Sequence, residues 1–166
     1  IKTSRGVIAR RPRKAPYQEL IKRFEKALAL LPDYPTTSGD DKVVVDVEDA
    51  PPITYNIAVP ATPVFPCDVV TWMSPLKKRL LFRRTIDRLK WNGNNSTVIL
   101  GVARARLNMP DTGDWIRKEL SARLRPNGTF TLNRRVPHHN FNDYGHYTEQ
   151  FGTTMAVSEL LLQRVG

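Results

Sequence analysis

The residues best suited to chemistry in this 166-residue chain are three histidines close in sequence and a single cysteine. His138, His139 and His146 occupy one short stretch together with Asp143. A metal site needs several such ligands converging on one point, and His139 and His146 do not have the spacing of a standard ligand pair. The sequence therefore predicts a polar loop at this position and no bound metal.

Cys67 is the only cysteine, which excludes a disulfide within the chain. A nucleophilic thiol requires an activating base or the start of a helix beside it, and the residues around Cys67 form neither pattern. The glycines stand apart and make no phosphate-binding loop. No pair of carboxylates has a recognisable acid–base setting. We therefore predict that the protein is not an enzyme and uses no cofactor.

Positive charge on one predicted helix, Ser74 to Trp91, is the strongest chemical signal. Its seven bases are Lys77, Lys78, Arg79, Arg83, Arg84, Arg88 and Lys90, and Asp87 is its only acid. Bases at this density repel one another unless a polyanion or an acidic protein neutralises them. Arginine also pairs with phosphate through two parallel hydrogen bonds. The helix is thus a candidate contact surface for RNA or a neighbouring subunit, and the alternative is a face exposed to solvent alone.

Further basic clusters lie outside this helix. They consist of Arg10, Arg11 and Arg13 near the start of the chain and of Arg134 and Arg135 near its end. Over the whole chain 26 Lys and Arg face 16 Asp and Glu, a net charge of +10. An excess of this size favours a polyanionic partner. A basic isoelectric point without a specific partner is the other interpretation.

The charge is segregated along the chain. Acids outnumber bases from Asp33 to Asp68, whereas bases outnumber acids from Lys77 to Arg135. One acidic and one basic surface would suit a subunit placed between unlike neighbours. Pairing of the two segments within the chain is the alternative that the sequence leaves open.

Hydrophobic periodicity predicts an α+β fold. Helices are predicted over Pro16–Leu31, Ser74–Trp91, Trp115–Leu124 and Thr154–Val165, and strands over Lys42–Glu48, Ile53–Val59 and Thr129–Leu132. The segment Ser96–Met109 fits a buried strand or a helix. We expect three to four helices packed on a small, mainly antiparallel sheet. An extended basic arm over residues 1–15 would precede a single domain over residues 16–166.

These observations lead to a functional hypothesis. We expect a non-catalytic structural subunit, an RNA-contacting protein of a mitochondrial ribosome whose partners are rRNA and neighbouring proteins. The alternative is a peripheral accessory subunit of a mitochondrial respiratory complex or ATP synthase, which would contact acidic subunits or anionic lipid head groups. The mitochondrial location rests on the first residues, which are rich in arginine and free of acids, as organelle-targeting segments are.

Overall fold

The structure is a computed structural model that describes residues 15–51, 58–89, 96–124, 128–130 and 147–163. These residues form α1 (Ala15–Ala29), α2 (Leu76–Arg88), α3 (Ser96–Arg106), α4 (Thr112–Arg123) and α5 (Tyr147–Leu161), with a short 3-10 helix over Val59–Ala61. The chain divides into two compact units, residues 1–34 and residues 35–166. The predicted arm over residues 1–15 lies, except for Ala15, outside the described residues.

The prediction of an α+β fold with an antiparallel sheet is wrong. The described residues are mostly helical and contain no β-strand. Within them, strand-like pairing is confined to two isolated bridges, Thr36 with Val44 and Leu124 with Phe130. Most of the predicted strand Ile53–Val59 and the end of Thr129–Leu132 lie outside the described residues.

The prediction of a strand over Lys42–Glu48 is wrong because its backbone amides find hydrogen-bond acceptors in α2 and in a preceding turn. Val43, Val44 and Val45 are buried, as their β-branched side chains suggested. The Val44 amide, however, donates to Thr85 Oγ1 of α2 at 2.9 Å, and the Val45 amide donates to the Pro35 carbonyl. A buried backbone group needs a partner, but that partner need not be another strand. The valines therefore pack as an irregular segment against α2.

The ambiguous segment Ser96–Met109 forms α3, which packs most extensively against α5. Small residues allow the two helices to approach closely. A β-carbon on Gly101 would lie 3.1 Å from that of Ala156, and one on Gly152 would collide with Val98. The hydrophobic core beside this contact contains Val102, Ile116 and Ala156. Close packing of α3 on α5 thus resolves the choice that periodicity left open.

The other predicted helices are confirmed, with shifted ends. The fifth helix begins at Tyr147, earlier than the predicted start at Thr154. The residue that caps α2 is Pro75, and it makes no side-chain capping bond. Ser74, the first residue of the predicted helix, precedes this cap and accepts a hydrogen bond from the Thr71 amide. The local turn before α2 therefore uses the serine hydroxyl that the sequence assigned to the helix.

Candidate partner-binding surface

The basic helix α2 turns Phe82, Thr85 and Ile86 into the core. Its other faces hold the candidate binding residues, which differ in exposure. Lys77 and Arg88 are exposed, whereas Lys78, Arg79, Arg83 and Arg84 are half-buried. The bases of α2 therefore do not form one uniformly solvated face.

Arg83 binds the end of α3. Its Nε and Nη2 donate to the Leu107 carbonyl at 3.1 and 2.7 Å, and Nη2 also donates to the Asn108 carbonyl at 2.9 Å. The last carbonyls of a helix lack partners within that helix and carry partial negative charge, which a guanidinium satisfies well. Gln163 Nε2 donates to a third carbonyl in this region, that of Ala105, at 2.6 Å. Arg83 thus has a structural task that the sequence did not reveal.

Two other arginines of α2 hold the acidic segment. Arg84 Nε donates to the Lys42 carbonyl at 3.2 Å. Arg88 donates to the Asp41 carbonyl at 3.2 Å and contacts the Asp41 carboxylate at 3.5 Å. At this point the basic and acidic segments pair within the chain, which was one of the two alternatives that the charge pattern allowed.

Arg79 differs from these residues. It is half-buried, and its Nε has no hydrogen-bond partner among the described residues. Of the remaining candidates, Arg10, Arg11, Arg13, Lys90, Arg134 and Arg135 lie outside the described residues. Their predicted role in binding stays a prediction.

Arg104 of α3 is a buried base, paired with two exposed acids, that sequence reasoning missed. Its side chain is 5% exposed and contacts Asp87 at 2.9 Å and Asp111 at 2.5 Å. The guanidinium lies 5.4 Å from the ring centre of Trp115, within range of a cation–π interaction. The hydrogen bond from Arg104 holds the pKa of Asp111 below its ordinary value of 3.8, against the opposing effect of burial. The cluster joins α2, α3 and the start of α4.

Arg106 makes a second cluster between α3 and α5. It contacts Glu159 at 3.0 Å and also pairs with Asp68. Its guanidinium lies 5.0 Å from the ring centre of Phe65. In the sequence, Arg104 and Arg106 interrupt an apolar run, and a charge inside such a run is the signal that could have indicated buried partners.

An exposed apolar surface adjoins the bases of α2. Trp72, Met73, Leu76 and Leu80 are 44%, 66%, 59% and 40% exposed, and we call these four residues the α2 patch. Leu76 and Leu80 lie one turn apart on α2, with Lys77 exposed beside them. Leu76 and Leu80 thus lie outside the core, whereas Phe82 and Ile86 of the same helix are buried in it. Exposed apolar residues this close together in the chain make the α2 patch a candidate contact surface.

The residues that could do chemistry form no centre in the described part of the chain. Cys67 is exposed. No group of His, Cys, Asp and Glu among the described residues is arranged to hold a metal ion. The three histidines lie outside those residues. None of the five helices has the length and apolar character needed to cross a bilayer.

Comparison with protein-family models, with curated proteins and with solved structures finds no match for this chain.

Proposed function

We propose that this protein is a non-catalytic structural subunit of a larger assembly, an RNA-contacting protein of a mitochondrial ribosome. The proposal is carried by the surplus of positive charge, which the internal ion pairs do not reduce. Five arginines of the described residues, among them Arg104 and Arg106, contact seven carboxylates. These pairs therefore neutralise more acidic side chains than basic ones. The positive charge outside them favours a polyanionic partner, and phosphate is the abundant polyanion in a ribonucleoprotein.

The α2 patch supports the wider statement that the protein works within an assembly. An apolar surface containing tryptophan and methionine gains free energy when a partner covers it. Nucleic acid offers phosphates on its outside, so a neighbouring protein suits this patch better than RNA does. The patch and the positive surplus together favour a subunit that touches both RNA and protein.

A filter-binding titration of the full chain on rRNA fragments tests the proposal. Affinity should fall steeply as KCl rises, because each neutralised phosphate releases counterions. Lys77→Gln should lower the salt slope by about one if Lys77 contacts phosphate. Leu80→Gln is the matched control, since it changes a neighbouring exposed residue without changing charge. The proposal is contradicted if the affinity for rRNA does not change with KCl concentration, or if the chain does not bind rRNA at low salt.

A second candidate is a peripheral accessory subunit of a mitochondrial respiratory complex or ATP synthase. The α2 patch favours it, because such a subunit buries its contacts mainly against protein. Nuclease treatment of the isolated assembly separates the two candidates. Release of the protein by nuclease supports the ribosomal role, whereas retention after complete RNA digestion supports the accessory role.

A further inference from the structure

Helix α1 has an apolar stripe along its whole length, and the side chains of this stripe are exposed. Tyr17, Leu20, Phe24 and Leu28 follow one another at helical spacing and are 38–44% exposed. Leu31 continues the stripe just beyond the helix and is 64% exposed. From Tyr17 to Leu31 only Ile21 is even half-buried. An apolar stripe of this length favours a surface that a partner covers.

The polar surface of α1 and the sequence before it are basic. Lys22, Arg23 and Lys26 are exposed on the helix, where Glu19 and Glu25 are the acids. The residues before α1 carry six further bases and no acid, namely Lys2, Arg5, Arg10, Arg11, Arg13 and Lys14. The excess of bases in this region favours a partner that carries negative charge.

The apolar stripe and the adjacent bases together restrict the partner. RNA would neutralise the bases but offers little apolar surface to Phe24 and Leu28. An apolar groove on a protein would cover the stripe, but it would pair with the bases only if acidic residues also surrounded it. An anionic lipid surface supplies both features in one plane, acyl chains below and phosphate head groups at the level of the helix. Aromatic and leucine side chains on one face, with Lys and Arg on the other, are typical of helices that lie in this interface.

We propose that α1 binds the surface of an anionic membrane, with Tyr17, Leu20, Phe24 and Leu28 immersed among the acyl chains. The helix lies parallel to the bilayer and does not cross it, since its 15 residues are too few for a span. Lysine and arginine near such a surface strengthen binding by roughly fivefold each. This binding is a property of the first unit and holds whichever assembly contains the protein.

Vesicle flotation of the full chain tests the proposal. The probes are phosphatidylcholine vesicles and phosphatidylcholine vesicles containing a minority of phosphatidylserine. The protein should float with the anionic vesicles and remain behind with the neutral ones. Leu20→Gln with Phe24→Gln should weaken binding by at least about tenfold, because two buried apolar side chains are lost. Glutamine keeps good helix propensity, so the change acts on the stripe and preserves the helix.

The matched control is Leu161→Gln with Leu162→Gln at the end of α5. These leucines are 80% and 83% exposed, so the control removes equally large exposed apolar groups far from α1 in sequence. Binding should survive it. In α1, Lys22→Gln, Arg23→Gln and Lys26→Gln together should weaken binding on the order of a hundredfold, since each base contributes roughly fivefold. The proposal is overturned if the full chain floats with neither kind of vesicle. That result would favour a protein groove as the partner of α1. Equal binding to neutral vesicles, or equal loss in the α5 control, also overturns it.

Discussion

At the scale of single residues, Arg83 shows how a base expected at a binding surface can belong to the fold. Arg83→Met removes three hydrogen bonds to the carbonyls of Leu107 and Asn108 while keeping an apolar stem of similar length. We expect the free energy of unfolding to fall by about 2 kcal/mol, since hydrogen bonds from a charged donor are among the stronger ones.

Lys77→Met on the exposed side of α2 is the control for Arg83→Met. It should change stability by less than about 0.5 kcal/mol. Urea unfolding of the two variants measures the difference. Equal stability of both would mean that the contact of Arg83 with α3 contributes nothing to the fold.

Asp111 is the residue for which the structure most clearly predicts an effect of acid pH on folding stability. Its pKa lies below 3.8 in the folded protein because Arg104 donates a hydrogen bond to it. A depressed pKa contributes stability above pH 3.8, and this contribution is lost as the pH falls through the folded value. We expect Asp111→Asn to lower stability at neutral pH and to flatten the loss of stability in acid. Asparagine remains a good residue for the cap position of α4, so the helix start is preserved.

Asp114→Asn provides the comparison for Asp111→Asn. Asp114 pairs with Arg117 within α4, but both side chains are about four-fifths exposed. Exposed ion pairs of this kind contribute little to stability. Urea titrations over a series of acid pH values should therefore show the wild-type slope for Asp114→Asn and a shallower slope for Asp111→Asn. The same slope in all three proteins would rule out the assigned role of Asp111.

The candidate surface was only partly visible in the sequence, for a physical reason. The sequence shows that Arg83, Arg84 and Arg88 belong to one strongly basic helix. Their partners, however, are mainly backbone carbonyls, and every residue type has a backbone carbonyl. Nothing in the sequence marks the Leu107 or Lys42 carbonyl as an acceptor. Arg104 was overlooked because its partners Asp87 and Asp111 belong to other parts of the chain.

At the scale of elements, Gly152 allows α3 and α5 to pack closely. A β-carbon at this position would overlap the Val98 side chain, so Gly152→Ala must push the helices apart or distort Val98. Overpacking of a close contact costs about 1–3 kcal/mol. We expect a destabilisation of that size in thermal or urea unfolding.

Gly113→Ala is the matched substitution for Gly152→Ala. The nearest atom to its new β-carbon would be Leu160 Cδ2 at 3.8 Å, an ordinary contact. Alanine is favoured over glycine in a helix by up to about 1 kcal/mol, so this variant should be neutral or slightly more stable. If both variants lose stability alike, the close approach at Gly152 is not the cause.

The elements recovered from sequence are those with clear helical periodicity, such as α1 and α2. Their apolar residues recur at helical spacing, which a strand cannot use. The valine run from Val43 to Val45 led to the wrong prediction of a strand, because β-branched residues favour any buried, extended backbone. Whether such a run joins a sheet depends on its neighbours, and here the neighbour is Thr85 of α2. Local propensity contains no information about that contact.

At the scale of the whole molecule, the core and the proposed membrane contact lie in different units. Every fully buried apolar residue that the structure describes falls between Val43 and Ala156, in the second unit. The described side chains of α1 are exposed apart from the half-buried Ile21. Folding stability should therefore reside in the second unit, whereas attachment to lipid should reside in the first.

Deletion of residues 1–31 tests this division of roles. The shortened chain begins at residue 32 and keeps all the buried apolar residues of the second unit. Its melting temperature should therefore stay close to that of the full chain. Its flotation with phosphatidylserine-containing vesicles should be lost, because the apolar stripe and the adjacent bases are gone. Binding to rRNA fragments should persist with a smaller salt slope, since fewer bases remain to displace counterions. Thermal unfolding, flotation and filter binding on the same preparation give the three results. A sharply lower melting temperature would show that residues 1–31 support the core, and the separation of roles would then be wrong.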